Sequence, residues 1–192
     1  MIEKFFNTAG FQLIASGMTS QSEIDSIIEK NTGRNLDTLE TEYSLIKRRR
    51  PMWAKPNSQG VKYYIDDCFP TFWFRIIESN RSLVELGKLN LLKETIHNEY
   101  RQFSGVVLEK YFHQLYSEKE RVTEVSHWWD SQGNNEIDLI ALEWLDHRAV
   151  VAEVKRNSQK HNPRSPADKY ENIKKHLRGY QVDQTGLSME DM

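Results

Sequence analysis

Cysteine is nearly missing from this chain: Cys68 stands alone among 192 residues. A single thiol excludes an intramolecular disulfide and any multi-cysteine zinc site. Long apolar runs are missing as well. No stretch approaches the roughly 18 residues of a membrane span, and the N-terminus lacks the basic, apolar and small-residue order of a signal peptide. A cytoplasmic chain without membrane contact is the expectation. There is no excess of positive charge either. Lys and Arg number 26 against 28 Asp and Glu, for a formal net charge of −2. The chain as a whole is therefore no polycationic nucleic-acid binder, and any such contact rests on local patches. No Gly-x-x-x-x-Gly-Lys-Ser/Thr run occurs, so the chain has no phosphate loop and no ATP site of its own. Internal repeats and long low-complexity segments are also lacking.

What is present can build a core. Aromatics make up 11% of the residues, five of them Trp, while a mean hydropathy of −0.71 indicates a soluble surface. The length suits one domain or two small ones. Helical spacing runs to about Ser16, through Phe5, Phe6, Phe11, Leu13 and Ile14. Ser20 with Glu23 three residues on reads as a capped helix start, with Ile24, Ile27 and Ile28 as its buried stripe. Asn35 to Lys47 reads as a further helix, stopped by Lys47–Arg50 and Pro51. A turn at Asn57–Gly60 and a strand at Val61–Ile65 follow. Three helices and then a β-hairpin is the order of a winged helix-turn-helix, expected over residues 1–70. The aromatic segment Asp66–Arg75 reads as core or as the entry to a second domain, expected over 71–192. Ser79–Ser82 reads as a loop, followed by helices through about Leu115. Then come a strand at Arg121–Trp129, two more strands, a polar loop at Asn157–Asp168, a short helix at Asp168–Leu177 and a last strand at Gly179–Leu187. The second part is α-β-β-β-α-β in order, and the whole is α/β (α+β overall).

The two central strands carry the most informative residues. Glu136–Leu142 and Ala149–Lys155 are apolar runs of strand length on either side of a short turn. An antiparallel hairpin centred between Leu145 and Asp146 sets Asp138 opposite Glu153 and Glu136 opposite Lys155. Side chains alternate along a strand, so these four share one face with Ile140, Leu142, Ala149 and Val151. Three acids and a lysine gather at one end of an otherwise apolar pair, where a divalent metal and a phosphodiester could meet. The bland reading is charge at the solvated end of a hairpin, with Lys155 paired to Glu136.

Glu109 on a helix, Asp138, and Glu153-Val-Lys155 resemble the PD-(D/E)XK nuclease pattern. A wider set of segments is similar to the C-terminal region of the archaeal-type AAA ATPase family. These are Ser22–Ile24, Leu45–Ile46, Pro51, Tyr63–Phe69, Phe72–Arg75, Trp128–Asp130, Glu136–Asp138 and Glu153–Lys155. In that family a P-loop ATPase domain precedes a winged helix and a restriction-endonuclease-like domain. The resemblance covers about Ser16 to Lys155 and implies a chain lacking the ATPase domain, whether truncated, a fragment or a stand-alone relative. It implies a metal-dependent DNA nuclease. Asp138, Glu153 and Glu109 would be ligands for Mg2+ or Mn2+, and Lys155 would stabilise charge on the reacting phosphate. A solvated helix face is the other reading of Glu109.

Arg48, Arg49, Arg50, Lys55 and Lys62 form a basic wing region suited to phosphates. Asp37, Glu40 and Glu42 on the preceding helix oppose docking in a DNA groove. A protein-docking role, against a P-loop ATPase domain in cis or in trans, stands beside the DNA reading. The functional alternative is a non-catalytic module that binds nucleic acid or protein and regulates an associated ATPase. His127 reads as a packing or surface residue, and Trp128–Trp129 as core or edge packing. No oligomeric surface is legible, a dimer being one arrangement such domains use.

Overall fold

The computed structural model describes residues 2–55, 58, 60–131, 133–160 and 164–192. It is a mixed α/β protein, with helices and two sheets among the described residues. The chain packs as two units: Met1–Arg50 with Asn57–Tyr100, and Pro51–Pro56 with Arg101–Met192. Residue 70, the expected end of a first domain, lies inside a helix of the first unit. Among the described residues no helix is long and apolar enough to cross a membrane.

In the first unit, α1 (Ile2–Ala15), α2 (Gln21–Ile28) and α3 (Gly33–Thr41) precede a small antiparallel sheet of β1 (Lys47–Arg49) and β2 (Lys62–Tyr64). The capping box at the start of α2 is formed: Glu23 N–H donates to Ser20 Oγ at 3.3 Å, and Ser20 N–H donates to Glu23 Oε2 at 2.9 Å. Of the isoleucine stripe, Ile24 is fully buried, whereas Ile27 is exposed. The expected helix at Asn35–Lys47 is corrected at both ends. It starts at Gly33 and stops at Thr41, because Leu45 N–H turns back to Leu39 O at 2.9 Å and Ser44 adopts a left-handed φ of 53°. The basic run that was to stop the helix is instead a strand, Lys47–Arg49. Ile24, Leu36, Leu39, Ile46, Tyr63 and Phe11 form the core here.

The aromatic segment is also helical. α4 (Cys68–Phe72) leads into a π-helical turn, Trp73–Ile77. Its aromatics split: Phe74 packs edge-on against Phe11 at 4.7 Å, while Phe69 and Trp73 remain exposed. The expected loop at Ser79–Ser82 is the end of a 3-10 turn and the start of α5 (Arg81–Glu85). α6 (Leu89–Ser117) follows, and the division between the units falls within it.

The second unit holds a four-stranded sheet, β3 (Glu124–Trp129), β4 (Glu136–Glu143), β5 (Arg148–Val154) and β6 (Gln181–Leu187), in that spatial order. β3, β4 and β5 pair antiparallel, and β6 lies parallel to β5. A parallel neighbour demands a crossover connection, and α7 (Arg164–Ile173) lies within it. α7 starts at Arg164, earlier than the polar composition suggests. Pro166 falls in its first turn, where the missing N–H breaks no helical hydrogen bond.

Both faces of the sheet are covered. Ile140, Leu142, Ala149 and Val151 pack with Ile173 and Leu177, while Leu139, Ala141, Ala152 and Val154 pack with Leu108 and Phe112 of α6. Double-sided burial is why β4 and β5 read as nearly continuous apolar runs rather than alternating ones.

Candidate metal and phosphate site

The β4–β5 ladder has the register expected from the sequence: Leu139 faces Ala152, Ile140 faces Val151, and Glu143 faces Arg148. Leu139–Ala152 is its last pair. One residue further, Asp138 replaces a main-chain partner with its side chain, accepting the Val154 N–H on Oδ2 at 2.8 Å. The carbonyl of Asp138 accepts from His113 Nε2 of α6 at 2.7 Å. The His113 ring in turn stacks on His127 of β3, centroids 3.8 Å apart. Asp138 is thus fixed at both ends by groups on neighbouring elements. His127, for which the sequence left packing and surface roles open, is buried.

Glu153 continues β5 on the face shared with Val151 and is only 7% exposed. Its Oε1 lies 3.2 Å from Lys155 Nζ and 3.2 Å from Lys169 Nζ of α7. Lys155, one residue past the end of β5, therefore pairs with Glu153 two residues before it. Burial pushes the Asp138 carboxyl upward, against the Val154 N–H and the two lysines. For Glu153 burial also pushes upward, but Lys155 and Lys169 outweigh it and hold the group below its ordinary value. Lys155 loses some affinity for its proton to burial and regains more from Asp138, Glu153 and Glu109, so its net shift is upward. Glu109 of α6 is half-buried and lies within electrostatic reach of Lys155.

Among the described residues no group of three or more His, Cys, Asp or Glu side chains is gathered to hold a metal ion. What the structure assembles is a carboxylate pair, Asp138 and Glu153, with Lys155 and Lys169 beside it. A hard cation of the magnesium type fits that donor set, since it takes one or two carboxylates and completes its shell with water and phosphate oxygens. Lys169 and His113 were not singled out by the sequence. Nothing in the spacing of Lys169 from the strand motif marks it, because its place depends on how α7 packs.

The basic wing residues are placed less simply. Arg48 pairs with Asp37 and, at 2.9 Å, with Glu40, both on α3, and lies over the Tyr63 ring. Arg49 pairs with Asp66 at 2.8 Å and lies over the Tyr64 ring. Lys47 also pairs with Asp66. Arg50 and Lys55 are exposed, and Lys62 is half-buried next to the bridge it makes with Ser20. Two of the three acids read as obstacles to groove docking, Asp37 and Glu40, are thus internal partners of Arg48.

A 34%-identical stretch of 121 residues is shared with an uncharacterized protein of Methanocaldococcus jannaschii, covering 59% of this chain and 27% of that protein. The chain therefore spans about a quarter of that relative's length. No solved structure matches. The model of the DUF234 family, described as "Archaea bacterial proteins of unknown function", matches residues 73–165, a span that takes in Glu109, Asp138, Glu153 and Lys155 and stops short of Lys169.

Proposed function

We propose that this chain carries a metal-dependent, nuclease-like site that hydrolyses phosphodiester bonds in DNA. The observation that carries the reading is that Asp138 and Glu153, just beyond the last β4–β5 pair, lie within electrostatic reach of each other, with Lys155 seated on Glu153. The domain reading is a restriction-endonuclease-like unit, supported by the α6-β3-β4-β5-α7-β6 order and the parallel β5–β6 pair. Asp138 and Glu153 hold the cation, Mg2+ or Mn2+. When bound, it would polarise the phosphate and acidify the attacking water. Lys155 sets an ammonium where negative charge grows on the phosphate, the kind of preorganised charge that lowers a hydrolytic barrier. Asp138, Glu153 and, from the α6 side, Glu109 raise the affinity of that ammonium for its proton. The start of the first unit is read as a winged helix on the strength of its first three helices and two-stranded sheet. Arg50, exposed at the end of the basic run, is its candidate phosphate contact, whereas Arg48 and Arg49 pair with carboxylates and Lys62 lies within electrostatic reach of Glu23. Lys55 is a candidate of the second unit.

The test is incubation of the full chain with linear duplex, single-stranded and branched DNA, with Mg2+ or Mn2+. Cleavage is expected, with Asp138→Ala and Lys155→Ala each slower by about a hundredfold or more. Cleavage that persists undiminished in both variants would assign it to another site.

A second reading is favoured by one observation: Glu153 is already neutralised by two lysines. On that reading the region is a non-catalytic module in the cytoplasm that regulates a P-loop ATPase domain, in cis or in trans, by binding DNA or protein. DNA binding that does not change on adding Mg2+ or Mn2+, with no cleavage of any substrate, is its signature.

A further inference from the structure

Glu153 carries more positive charge than its place in the site calls for. Its side chain is 9% exposed, and both ammonium groups approach the same oxygen, Oε1, at 3.2 Å. Two ammoniums on one oxygen repel each other. The formal charges of Asp138, Glu153, Lys155 and Lys169 cancel, so the cluster in this state exerts little net pull on a dication. For the pair to attract one, an ammonium has to move away.

The two lysines are not equivalent. Lys155 belongs to the segment that carries Glu153, and its N–H is bonded to Leu187 O at 2.9 Å. It remains a neighbour of Glu153 whatever its side chain does. Lys169 reaches the site from α7, a separate element, with its side chain 24% exposed. Its withdrawal breaks one ion pair and leaves the β4–β5 ladder and the Asp138–Val154 bond in place. It also lies beyond the span that matches the family model, so nothing in the strand motif itself supplies this charge.

We propose that Lys169 is a displaceable counterion of Glu153: it neutralises the carboxylate until a divalent cation arrives, and then gives way to it. The inference rests on the metal-site reading above and deepens it. Lys169 is a positioning residue in this scheme, and its effect is on cation affinity.

The measurement is calorimetric titration of the full chain with Mn2+ alone, without nucleic acid. Wild type, Lys169→Gln, Lys169→Met, Lys169→Arg and Glu153→Gln are compared, each checked for folding by circular dichroism. Removing a unit charge this close to a dication is expected to tighten binding about tenfold in both Lys169→Gln and Lys169→Met. The methionine variant keeps the aliphatic length, so either variant serves if the other folds poorly. Lys169→Arg is expected to stay near wild type, and Glu153→Gln to lose binding. Mn2+ affinity in the two neutral variants that equals or falls below wild type overturns the counterion role and leaves the metal site standing. No Mn2+ uptake by any of the proteins, wild type included, overturns the metal site and this inference together.

Discussion

Asp138 and Glu153 are neighbours across two strands, yet their surroundings push them in opposite directions. Burial drives Asp138 toward its protonated form, and the lysines keep Glu153 ionised. A carboxyl whose native pKa is raised adds stability only while protonated, and that contribution fades as pH climbs through the native value. Asp138→Asn keeps an oxygen to accept the Val154 N–H and removes the charge. It is expected to raise the melting temperature by about 2–4 °C near pH 7.5, with the gain gone below about pH 4. Glu153 has the opposite sign: its stabilisation is present above the ordinary value of 4.5 and is lost as pH falls through the lowered native value. Glu153→Gln leaves two ammoniums without their partner and is expected to cost about 2 kcal/mol at neutral pH, discounted for the exposure of Lys155. Thermal unfolding of both variants at pH 7.5 and pH 4 checks the pair. Equal destabilisation by the two at pH 7.5 would remove the asymmetry. The register of β4 on β5 was legible in the sequence because a two-residue period with a short turn leaves one sensible register. Lys169 was not, since no period links a helix to the strand it lands on.

Secondary-structure elements show a similar split between what is local and what is not. The α2 capping box depends on residues three apart, and the sequence announces it. The end of α3 does not, since residues 42–46 carry no strong breaker and the chain turns there through Ser44. What secures that turn is tertiary: Arg48 on β1 reaches back to Asp37 and Glu40, and its own N–H donates to Glu40 Oε1 at 2.9 Å. Arg48→Ala is expected to lower the stability of the first unit by about 1–2 kcal/mol, as read by urea unfolding. Arg50, exposed and at the end of the basic run, is expected to change stability by less than about 0.5 kcal/mol when replaced by Ala. DNA affinity inverts the order if the winged-helix reading holds. Arg50→Ala is expected to weaken binding and to reduce its salt dependence by about one counterion, measured by anisotropy across a salt series. An unchanged salt slope would take Arg50 out of the interface.

For the whole molecule, the division of the chain matters more than its composition. Hydropathy and motif spacing put a boundary near residue 70, but the second unit also takes in Pro51–Pro56. Met52 is 4% exposed in the cluster with Ile140, Val151 and Ile173, and its N–H donates to His127 O at 2.8 Å. Trp53 lies flat on His176, ring centroids 4.7 Å apart at an interplanar angle of 4°. It does so with a left-handed φ of 64°, a conformation that costs a non-glycine residue about 1–2 kcal/mol and needs such contacts to hold it. No sequence rule assigns a short segment between two strands of one unit to the core of another, because the assignment is made by contacts remote in the chain. A fragment of residues 71–192 lacks this segment, and a fragment of 51–192 retains it. The shorter one is expected to be less stable by about 3 kcal/mol, the scale of emptying a buried methionine site. It should also show faster amide exchange along β3, whose His127 carbonyl accepts the Met52 N–H, and β4, whose Ile137 and Ile140 share its cluster. Met52→Ala in the full chain is expected to reproduce most of that loss. Equal unfolding of the two fragments, with Met52→Ala silent, would mean that the segment rests on the second unit without stabilising it.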